Sequence, residues 1–432
     1  MAIATRAAPA RAERTAYDPF DPAYCRSLMR RAIGPLLDHY FRARFVGAEK
    51  LPATGPVILA ANHSGSAFPY DAIMLDFALW KHDGMTAAAK CRSVFEKELT
   101  LVWWMRPFGV DNLWRRGGGV DMTFDNFERL LERGDRVLYY PEGVPGIGKG
   151  FHRRYHLQHF RTSFLCLGAR HDVPIYPISV VNGEWVMPFH FTWKPLDWVM
   201  QRVFRVPFLP LPAGILAILL PWMWYLALPA HMVFVVGDPI DARAVLREAG
   251  ATDFDHPERA ALDRAAHRVR LRMQASLDAA VAAHGRRPYD WRSLAAALRD
   301  ARGKLASVLP TGWAATFVRN ERDHFRRPAR NWLHALLRDF DLLAFYLPFG
   351  WPLLSLARAF RRPPYGYRGM SRAEARERRG EFIWHLAERP LPAREDRGVG
   401  SRPSALGSRP RHAPGPLDGV QVAESRGPRA ER

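Results

Sequence analysis

The stretch GPVILAANHSGSAFPYDAIMLDFALW, residues 55–80, decides how the fold is read. The short apolar run PVILAA predicts a buried strand, and DAIMLDFALW has the length and apolar content of a helix. The turn between them is rich in glycine, serine and proline, with His63 at one end and Asp71 at the other. This arrangement can present a catalytic pair, and it is also the form of many ordinary strand–turn–helix junctions.

Strand and helix patterns alternate on both sides of this stretch. Strands are predicted at DRVLYY (135–140), VPIYPISVV (173–181), HMVFVVGDPI (231–240) and, more weakly, MTAAAK (85–90), and a helix at SVFEKELTLVWWMRPF (93–108). This alternation predicts an α/β fold with a single mixed, largely parallel sheet flanked by helices. The two prolines of VPIYP suggest a strand that faces an edge of the sheet.

Changes in composition predict the domain organisation. From about residue 287 the chain becomes basic, helical in pattern and rich in aromatic residues, and its end is rich in Arg, Pro, Gly and Ser without periodicity. We therefore expect a helical C-terminal extension and a disordered tail. The expected boundaries are 1–16 disordered, 17–286 the α/β domain, 287–390 the extension and 391–432 the tail.

The net charge is +20 and the isoelectric point is near 10.4. A surplus of this size favours an anionic partner such as nucleic acid, a phosphorylated small molecule or the anionic face of a membrane. A genome-wide bias towards arginine is the alternative explanation. The three cysteines have no metal-ligand spacing, and the N-terminus has no apolar signal region, so a location on the cytoplasmic side is expected.

Residues 206–230, VPFLPLPAGILAILLPWMWYLALPA, form an uncharged run of 25 residues. The run is long enough to span a bilayer, but five prolines interrupt it. Its tryptophan and tyrosine residues favour the membrane–water interface. A segment that lies in the interface or roofs an apolar tunnel is the favoured interpretation, with a spanning helix and a buried core segment as alternatives.

Two motifs carry candidate chemistry. A neutral imidazole whose tautomer is fixed by a carboxylate can remove a proton from a hydroxyl group, which is the role open to His63 and Asp71. The loop YYPEGVPGIGKG, residues 139–150, offers backbone N–H groups and Lys149 to a phosphate, although its spacing is not that of a nucleotide P-loop. Each motif alone is also compatible with a purely structural role.

The order of the motifs is more specific than any one of them. His63 with an aspartate, then Pro-Glu-Gly about eighty residues later, then Val-Pro-Ile-x-Pro and Gly-Asp-Pro-Ile resembles the glycerophospholipid acyltransferase family over roughly residues 25–285. This family includes the 1-acylglycerol-3-phosphate acyltransferases. The quoted stretches look most similar to a bacterial branch related to diacylglycerol-acyltransferase-like proteins.

The resemblance implies an O-acyltransferase of phospholipid biosynthesis, in which His63 is the general base and Asp71 orients and stabilises its imidazole. The residues expected to bind substrate are Glu142, Gly143, Lys149 and Asn62, and the VPIYP strand would line the acyl groove. The implied partners are membrane lipid and an acyl donor, either acyl-CoA or acyl carrier protein, with direct transfer and neither metal nor cofactor. We expect a peripheral or monotopic protein at the cytoplasmic face of the membrane.

The chain also departs from the family pattern. Seven residues separate His63 from Asp71 where four are usual, so Asp76 is the fallback carboxylate. Phe124 stands where the family has one phosphate-binding arginine, and Val144 and Pro145 follow Gly143 where the family commonly has Thr-Arg. Either Lys149 or the arginines at 115, 116, 153 or 154 replace them, or the acceptor is a neutral lipid such as diacylglycerol rather than lysophosphatidic acid.

Two other functional classes compete with the enzyme. A membrane-surface binding protein that keeps the fold without turnover is suggested by the lengthened gap between His63 and Asp71. Nucleic-acid binding is suggested by charge alone, but the basic residues are spread along the chain and no nucleic-acid module is recognisable, so no nucleic-acid partner is expected. The sequence gives no indication of the oligomeric state.

Overall fold

The computed structural model describes residues 20–64, 68–95, 110–204, 208–301, 308–325 and 329–360, which belong to one compact unit. The strands are β1 (Arg44–Val46), β2 (Val57–Ala61), β3 (Arg92–Phe95), β4 (Val120–Asp121), β5 (Arg136–Tyr139), β6 (Ile175–Val181) and β7 (Val233–Val236). The α-helices are α1 (Pro22–Leu28), α2 (Tyr70–His82), α3 (Val110–Arg116), α4 (Phe124–Glu132), α5 (Val144–Ile147), α6 (Ser163–Arg170), α7 (Lys194–Val199), α8 (Ala213–Leu219), α9 (Ala242–Glu248), α10 (Arg259–His284), α11 (Trp291–Asp300), α12 (Pro310–Phe325), α13 (Trp332–Arg338) and α14 (Trp351–Phe360). Short π- or 3₁₀-helical stretches include Met29–Ile33, Leu36–Tyr40, Pro221–Tyr225 and Phe340–Tyr346.

The seven strands form one sheet in the order β1-β7-β6-β2-β5-β3-β4. All neighbouring pairs are parallel except β6 and β7, so β1 and β7 run against the other five strands. The predicted single mixed, largely parallel sheet flanked by helices is therefore confirmed. The part of the C-terminal extension that is described is helical, whereas the predicted tail, 391–432, lies outside the described residues.

Strand β2 lies at the centre of the sheet, and all five of its residues are buried. Successive side chains of a strand point to opposite faces, so β2 contributes to the core on both sides. Leu59 packs with α1, α2 and the C-terminal helices, whereas Ile58 packs with α4, α6, α9 and α10. Parallel sheets buried on both faces have such continuous apolar strands, which explains why PVILAA is readable from sequence.

Helix α12 of the C-terminal extension packs on the same core as α1 and α2. Trp313 is buried in edge-to-face contact with Tyr40 and Tyr70, at ring-centroid distances of 4.9 and 5.7 Å. Ser27 of α1 donates a hydrogen bond to the Asn320 side chain at 2.7 Å. This extension therefore supports the helix that carries Asp71, and the domain boundary expected at 286/287 stays a prediction.

Two local expectations were wrong. The strand expected at 85–90 lies instead at Arg92–Phe95, inside the segment expected to be helical, and 96–109 lie outside the described residues. Strand β6 is not at an edge, because it lies between β7 and β2. Its pairing with β7 begins at Ile178, so Pro177 stands at the end of that ladder, where the missing N–H group is tolerated.

The described part of the apolar run, 208–230, is folded into short pieces, among them α8 and the 3₁₀-helix Pro221–Tyr225. Prolines at both ends of α8 keep it to seven residues. Among the described residues, no helix combines the length and the apolar character that crossing a bilayer requires.

Candidate active site

The carboxyl ends of β2 and β5 lie side by side and deliver the candidate catalytic groups to one place. These strands pair in parallel, with Ala60 opposite Tyr139. His63 follows β2 by two residues, and Glu142 follows β5 by three. Groups that extend from the carboxyl ends of neighbouring parallel strands meet at one edge of the sheet, which is where open α/β folds form their sites.

Asp71 lies in the first turn of α2 and reaches His63 despite the lengthened turn between them. Its carboxylate Oδ2 lies 2.9 Å from His63 Nδ1 and also accepts the Ser64 backbone N–H at 3.0 Å. Both His63 and Asp71 are buried. Residues 65–67 of the turn lie outside the described residues.

Asp71 is set up to remain ionised. Burial raises its pKa, but the charge of His63 and hydrogen bonds from His63 and from the Ser64 and Ala72 N–H groups outweigh this, so the net pKa lies below its ordinary value. A carboxylate at Nδ1 selects the tautomer with the proton on that nitrogen. Nε2 of His63 then remains a hydrogen-bond acceptor, and no described residue donates a hydrogen bond to it.

Tyr140 stacks on the imidazole of His63, with ring centroids 4.0 Å apart and planes at 15°. Its hydroxyl group is buried and has no hydrogen-bond partner within the described parts of the chain. Burial and the nearby carboxylates of Asp71 and Asp76 raise its pKa well above the ordinary value, so the group stays a neutral phenol. The stacking fixes the plane of the His63 ring.

Glu142 holds the backbone on which His63 stands. It is fully buried, and its Oε1 accepts the His63 backbone N–H at 2.9 Å. Its Oε2 accepts the Gln158 backbone N–H at 2.8 Å. Both carboxylate oxygens are thus engaged with the protein, and a substrate-binding role for Glu142 stays a prediction.

Lys149 holds the other side of the same residue. Its ammonium group donates to the His63 carbonyl oxygen at 2.7 Å and pairs with Glu184 Oε1 at 3.2 Å. The side chains of both members of this pair are nearly inaccessible to solvent. The His63 backbone is therefore held at its N–H by Glu142 and at its carbonyl by Lys149.

Two glycines of the Pro-Glu-Gly loop stand at positions where the backbone requires glycine. Gly143 has φ +57° and ψ −149°, a conformation that side-chain-bearing residues rarely adopt. A Cβ on Gly146 would lie 2.6 Å from the Glu142 Cβ and 2.9 Å from the His63 Cβ. Only glycine lets the loop approach the histidine so closely.

The remaining predicted side chains are not free at this centre. Asn62 turns towards β6, where its amide accepts the Val180 N–H at 2.7 Å and donates to the Val180 carbonyl at 3.2 Å. Arg115 lies 3.9 Å from Asp121, and Arg116 lies 3.7 Å from Asp21. Asp76, the fallback partner for His63, pairs instead with Lys90.

Sequence reasoning missed Tyr140, Glu184 and His190. Tyr140 had a signal, because it directly precedes Pro-Glu-Gly, whereas Glu184 follows the VPIYPISVV strand by three residues and His190 by nine, and neither belongs to a motif. His190 is buried, and within the described segments neither ring nitrogen has a hydrogen-bond partner. Burial and the neighbouring His152 lower its pKa to about 4, so it is neutral, and its carbonyl accepts the Phe151 N–H at 2.8 Å beside the loop.

One group elsewhere has the composition of a metal site. Ligand atoms of Glu128, Glu132 and His171 lie within 4.8 Å of one another. Glu128 already accepts hydrogen bonds from His171 and Arg170, which bring its pKa to about 2 against the effect of burial. The guanidinium of Arg170 supplies positive charge there, and no metal is assigned to this group.

The residues predicted to form the site all lie within one segment that matches a known family: Asn62, His63, Asp71, Glu142, Gly143 and Lys149. Residues 42–181 match the model of the family described as Acyltransferase. The chain is 30% identical over 250 residues to the uncharacterised protein ML2427 of Mycobacterium leprae, covering 55% of this chain and 60% of that protein. It is 28% identical over 247 residues to the uncharacterised protein Rv0502 of Mycobacterium tuberculosis, covering 55% and 62%.

The matches therefore span somewhat less than two thirds of these relatives. A solved structure is also similar, that of the 1-acyl-sn-glycerophosphate acyltransferase PlsC from Thermotoga maritima. The TM-score is 0.35 and the identity is 16%, over 60% of this chain and 80% of that one.

Proposed function

Residues 42–181 match the Acyltransferase family model, and from that match we propose that this chain is a member of the glycerophospholipid acyltransferase family and a membrane-associated O-acyltransferase. The proposed reaction moves a fatty acyl group from acyl-CoA or acyl carrier protein to a hydroxyl group of a glycerolipid. The proposed location is the cytoplasmic face of the membrane. The observation that carries the proposal is the 2.9 Å contact between His63 Nδ1 and Asp71 at the end of the central strand.

In the proposed reaction, Nε2 of His63 removes the proton of the acceptor hydroxyl as its oxygen attacks the thioester carbonyl carbon. The tetrahedral intermediate collapses, the C–S bond breaks, and the thiolate takes the proton back from the imidazolium as the thiol product. A new C–O ester bond replaces the thioester. Asp71 stabilises the imidazolium that exists between the two proton transfers.

The surroundings of His63 support this role because they fix its position. Glu142 and Lys149 hold its backbone, Asp71 holds Nδ1, and Tyr140 holds the ring plane. General-base catalysis depends on such positioning, and a displacement of about 1 Å can cost on the order of a hundredfold in rate. Within this proposal, Glu142 and Lys149 act as positioning residues.

For the acceptor, the placement of the basic side chains favours a neutral glycerolipid over lysophosphatidic acid. Lys149 is buried against Glu184 and the His63 carbonyl. Arg115 and Arg116 each lie near a buried or half-buried aspartate. Phosphate binding would have to use side chains other than these, such as the exposed Arg153.

The test is acyl transfer from labelled acyl-CoA, and in parallel from labelled acyl carrier protein, to a panel of acceptors in detergent micelles. The panel contains glycerol-3-phosphate, lysophosphatidic acid, monoacylglycerol and diacylglycerol. We compare the wild type with His63→Ala and with His156→Ala, which removes an exposed histidine of the same domain. The proposal predicts product from at least one acceptor, lost in His63→Ala and retained in His156→Ala.

A membrane-surface binding protein without turnover is the second candidate. Its support is the length of the turn between His63 and Asp71 together with the exposed apolar side chains described below. It predicts no product from any acceptor with either donor. Activity that is unchanged in His63→Ala would remove the proposed mechanism even if transfer occurs.

A further inference from the structure

Large apolar side chains that face solvent are concentrated in two parts of the chain. All but four of those found in the described residues lie in 189–219 or 332–356, and the exceptions are Met85, Leu271, Trp291 and Leu309. The most exposed members include Phe189 at 74% and Trp332 at 77%. Apolar patches of this kind mark an interaction surface rather than ordinary exposed hydrophobic residues.

The two parts form one continuous surface, which we call the apolar face. Phe191 and Leu211 exchange backbone hydrogen bonds of 3.0 and 2.8 Å, which joins 189–203 to the start of α8. The Phe349 N–H donates to the Leu219 carbonyl at 2.8 Å, and the Trp351 indole N–H donates to the Ala217 carbonyl at 2.8 Å. These contacts hold α8 beside the segment that follows α13.

Helix α13 shows that this face is not part of the core. None of its seven residues is buried, although four of them are Trp or Leu. Trp332, Leu333, Leu336 and Leu337 are exposed, so the helix is apolar around most of its circumference. A helix with that composition is stable when it is covered, by a lipid phase or by another protein.

The charges around the face favour an anionic lipid surface as its occupant. Lys194 and Arg202 are exposed within residues 189–203 of the face, and Arg330 is exposed at its border, two residues before α13. The two aspartates of 332–356 are held by arginines on the protein side: Asp339 by Arg322 at 2.9 Å, and Asp341 by the same guanidinium at 2.5 Å. Exposed basic residues beside Trp and Phe side chains are typical of proteins that lie in the headgroup region of a membrane.

Segment 208–225, which includes α8, also contacts residues beside the candidate active site. The Tyr70 hydroxyl, next to Asp71, donates to the Tyr225 carbonyl at 2.6 Å, just after α8. At the other end of the segment, Phe208 packs so closely on the Pro-Glu-Gly loop that a Cβ on Gly148 would lie 3.2 Å from its ring. These contacts place one end of the apolar face against the loop that approaches His63.

We propose that the apolar face, residues 189–203 and 208–219 with 332–356, docks the protein on an anionic lipid bilayer and delivers lipid to the His63 site. This inference rests on the proposed membrane location and deepens it by naming the surface. The aromatic and leucine side chains enter the headgroup region, while the basic side chains at the border meet anionic headgroups. The C-terminal extension thus supplies half of the lipid-binding surface.

The test is flotation of the full-length protein with vesicles in a density gradient, which needs no catalytic turnover. One set of vesicles is pure phosphatidylcholine, and the other is an equal mixture of phosphatidylcholine and phosphatidylglycerol. The face variant is Trp198→Glu with Trp332→Glu, one residue from each part. The matched control is Leu271→Glu with Trp291→Glu, which changes two exposed apolar residues outside the face, at 51% and 63% exposure.

We expect wild type to float with the mixed vesicles more than with pure phosphatidylcholine, and less as salt rises. The face variant should lose on the order of tenfold or more in partitioning, with the control unchanged. Equal flotation of both variants would overturn the proposal, as would a wild type that floats with neither vesicle. A dimer seen by ultracentrifugation that only the face variant dissociates, without flotation of the wild type, would assign the face to a second copy instead.

Two readouts keep this inference separate from the proposed reaction. His63→Ala should float like the wild type, because the histidine lies outside the apolar face. Thermal unfolding followed by circular dichroism checks that the face variant is folded. If the protein floats normally but transfers no acyl group, only the proposed reaction is contradicted. If it transfers acyl groups in micelles but does not float, only the proposed docking face is contradicted.

Discussion

Replacing Lys149 by methionine should destabilise the protein and displace His63 at the same time. The substitution keeps the side-chain volume but leaves Glu184 buried without its cationic partner. Removing one member of a buried ion pair costs about 3–5 kcal/mol in the free energy of unfolding. Burial already raises the pKa of Glu184, although the charge of Lys149 acts to lower it. Without Lys149, the ionised carboxylate would lose that stabilisation.

The double variant Lys149→Met with Glu184→Gln should recover part of this loss. Glutamine keeps an oxygen acceptor for the Tyr155 N–H, which Glu184 Oε1 binds at 3.1 Å, and carries no charge to bury. What remains is the lost hydrogen bond to the His63 carbonyl, worth about 1.5–3 kcal/mol because its donor is charged. We therefore expect the double variant to be less destabilised than Lys149→Met alone, so that the effects of the two substitutions are not additive.

Urea unfolding of the wild type, both single variants and the double variant at pH 7 measures this coupling. The catalytic rate measured on the same proteins reports whether His63 has moved. Additive losses would contradict the account, since they would mean that the two buried side chains do not depend on each other. A full-rate Lys149→Met enzyme would show that the His63 backbone needs no support on that side.

Three further predictions follow from the neighbours of this centre. His190→Leu should be more stable than wild type, and the difference should grow as pH falls from about 6.5 to 4. The reason is that the imidazole binds a proton in the unfolded chain but stays neutral in the folded protein, where its pKa is about 4. Urea unfolding across this pH range should show a gain in the free energy of unfolding that approaches about 3 kcal/mol at the acid end. Gly146→Ala should lower the free energy of unfolding by about 1–3 kcal/mol and also lower kcat, because its Cβ cannot fit between Glu142 and His63. An unfolding midpoint and a rate equal to those of wild type would argue against this close approach of the loop to His63. Tyr140→Phe should keep the catalytic rate and raise the free energy of unfolding by about 1 kcal/mol, because it removes a buried hydroxyl group without a described hydrogen-bond partner. A large fall in kcat/KM would show that the substrate binds to that hydroxyl group.

The sheet could be predicted where the strands are buried on both faces. PVILAA, DRVLYY and VPIYPISVV have continuous apolar runs, and they became β2, β5 and β6 at the centre of the sheet. β3 was missed because its alternating burial lies within a longer apolar run that reads equally well as a helix. Local pattern alone does not separate these two, since the pairing partner decides.

The meeting of His63, Asp71 and Glu142 followed from motif order, because each stands just past a predicted strand or at the start of the next helix. The supports could not be predicted in the same way. Glu184 is 35 positions after Lys149 in the chain, and it becomes a partner only through the fold. The sequence also favoured Lys149 as a phosphate ligand, since nothing local shows that its ammonium group is buried.

The central claim is that His63 and Asp71 act as one catalytic unit on a glycerolipid hydroxyl. The most direct test is kcat/KM for the best acceptor with wild type, His63→Ala, Asp71→Asn and the double variant, all shown to be folded. General-base catalysis contributes on the order of 10²–10⁴ in rate, so each single variant should lose that much. The account predicts that the double variant falls no further than His63→Ala, whereas losses that multiply, or a His63→Ala enzyme with wild-type activity, would contradict it.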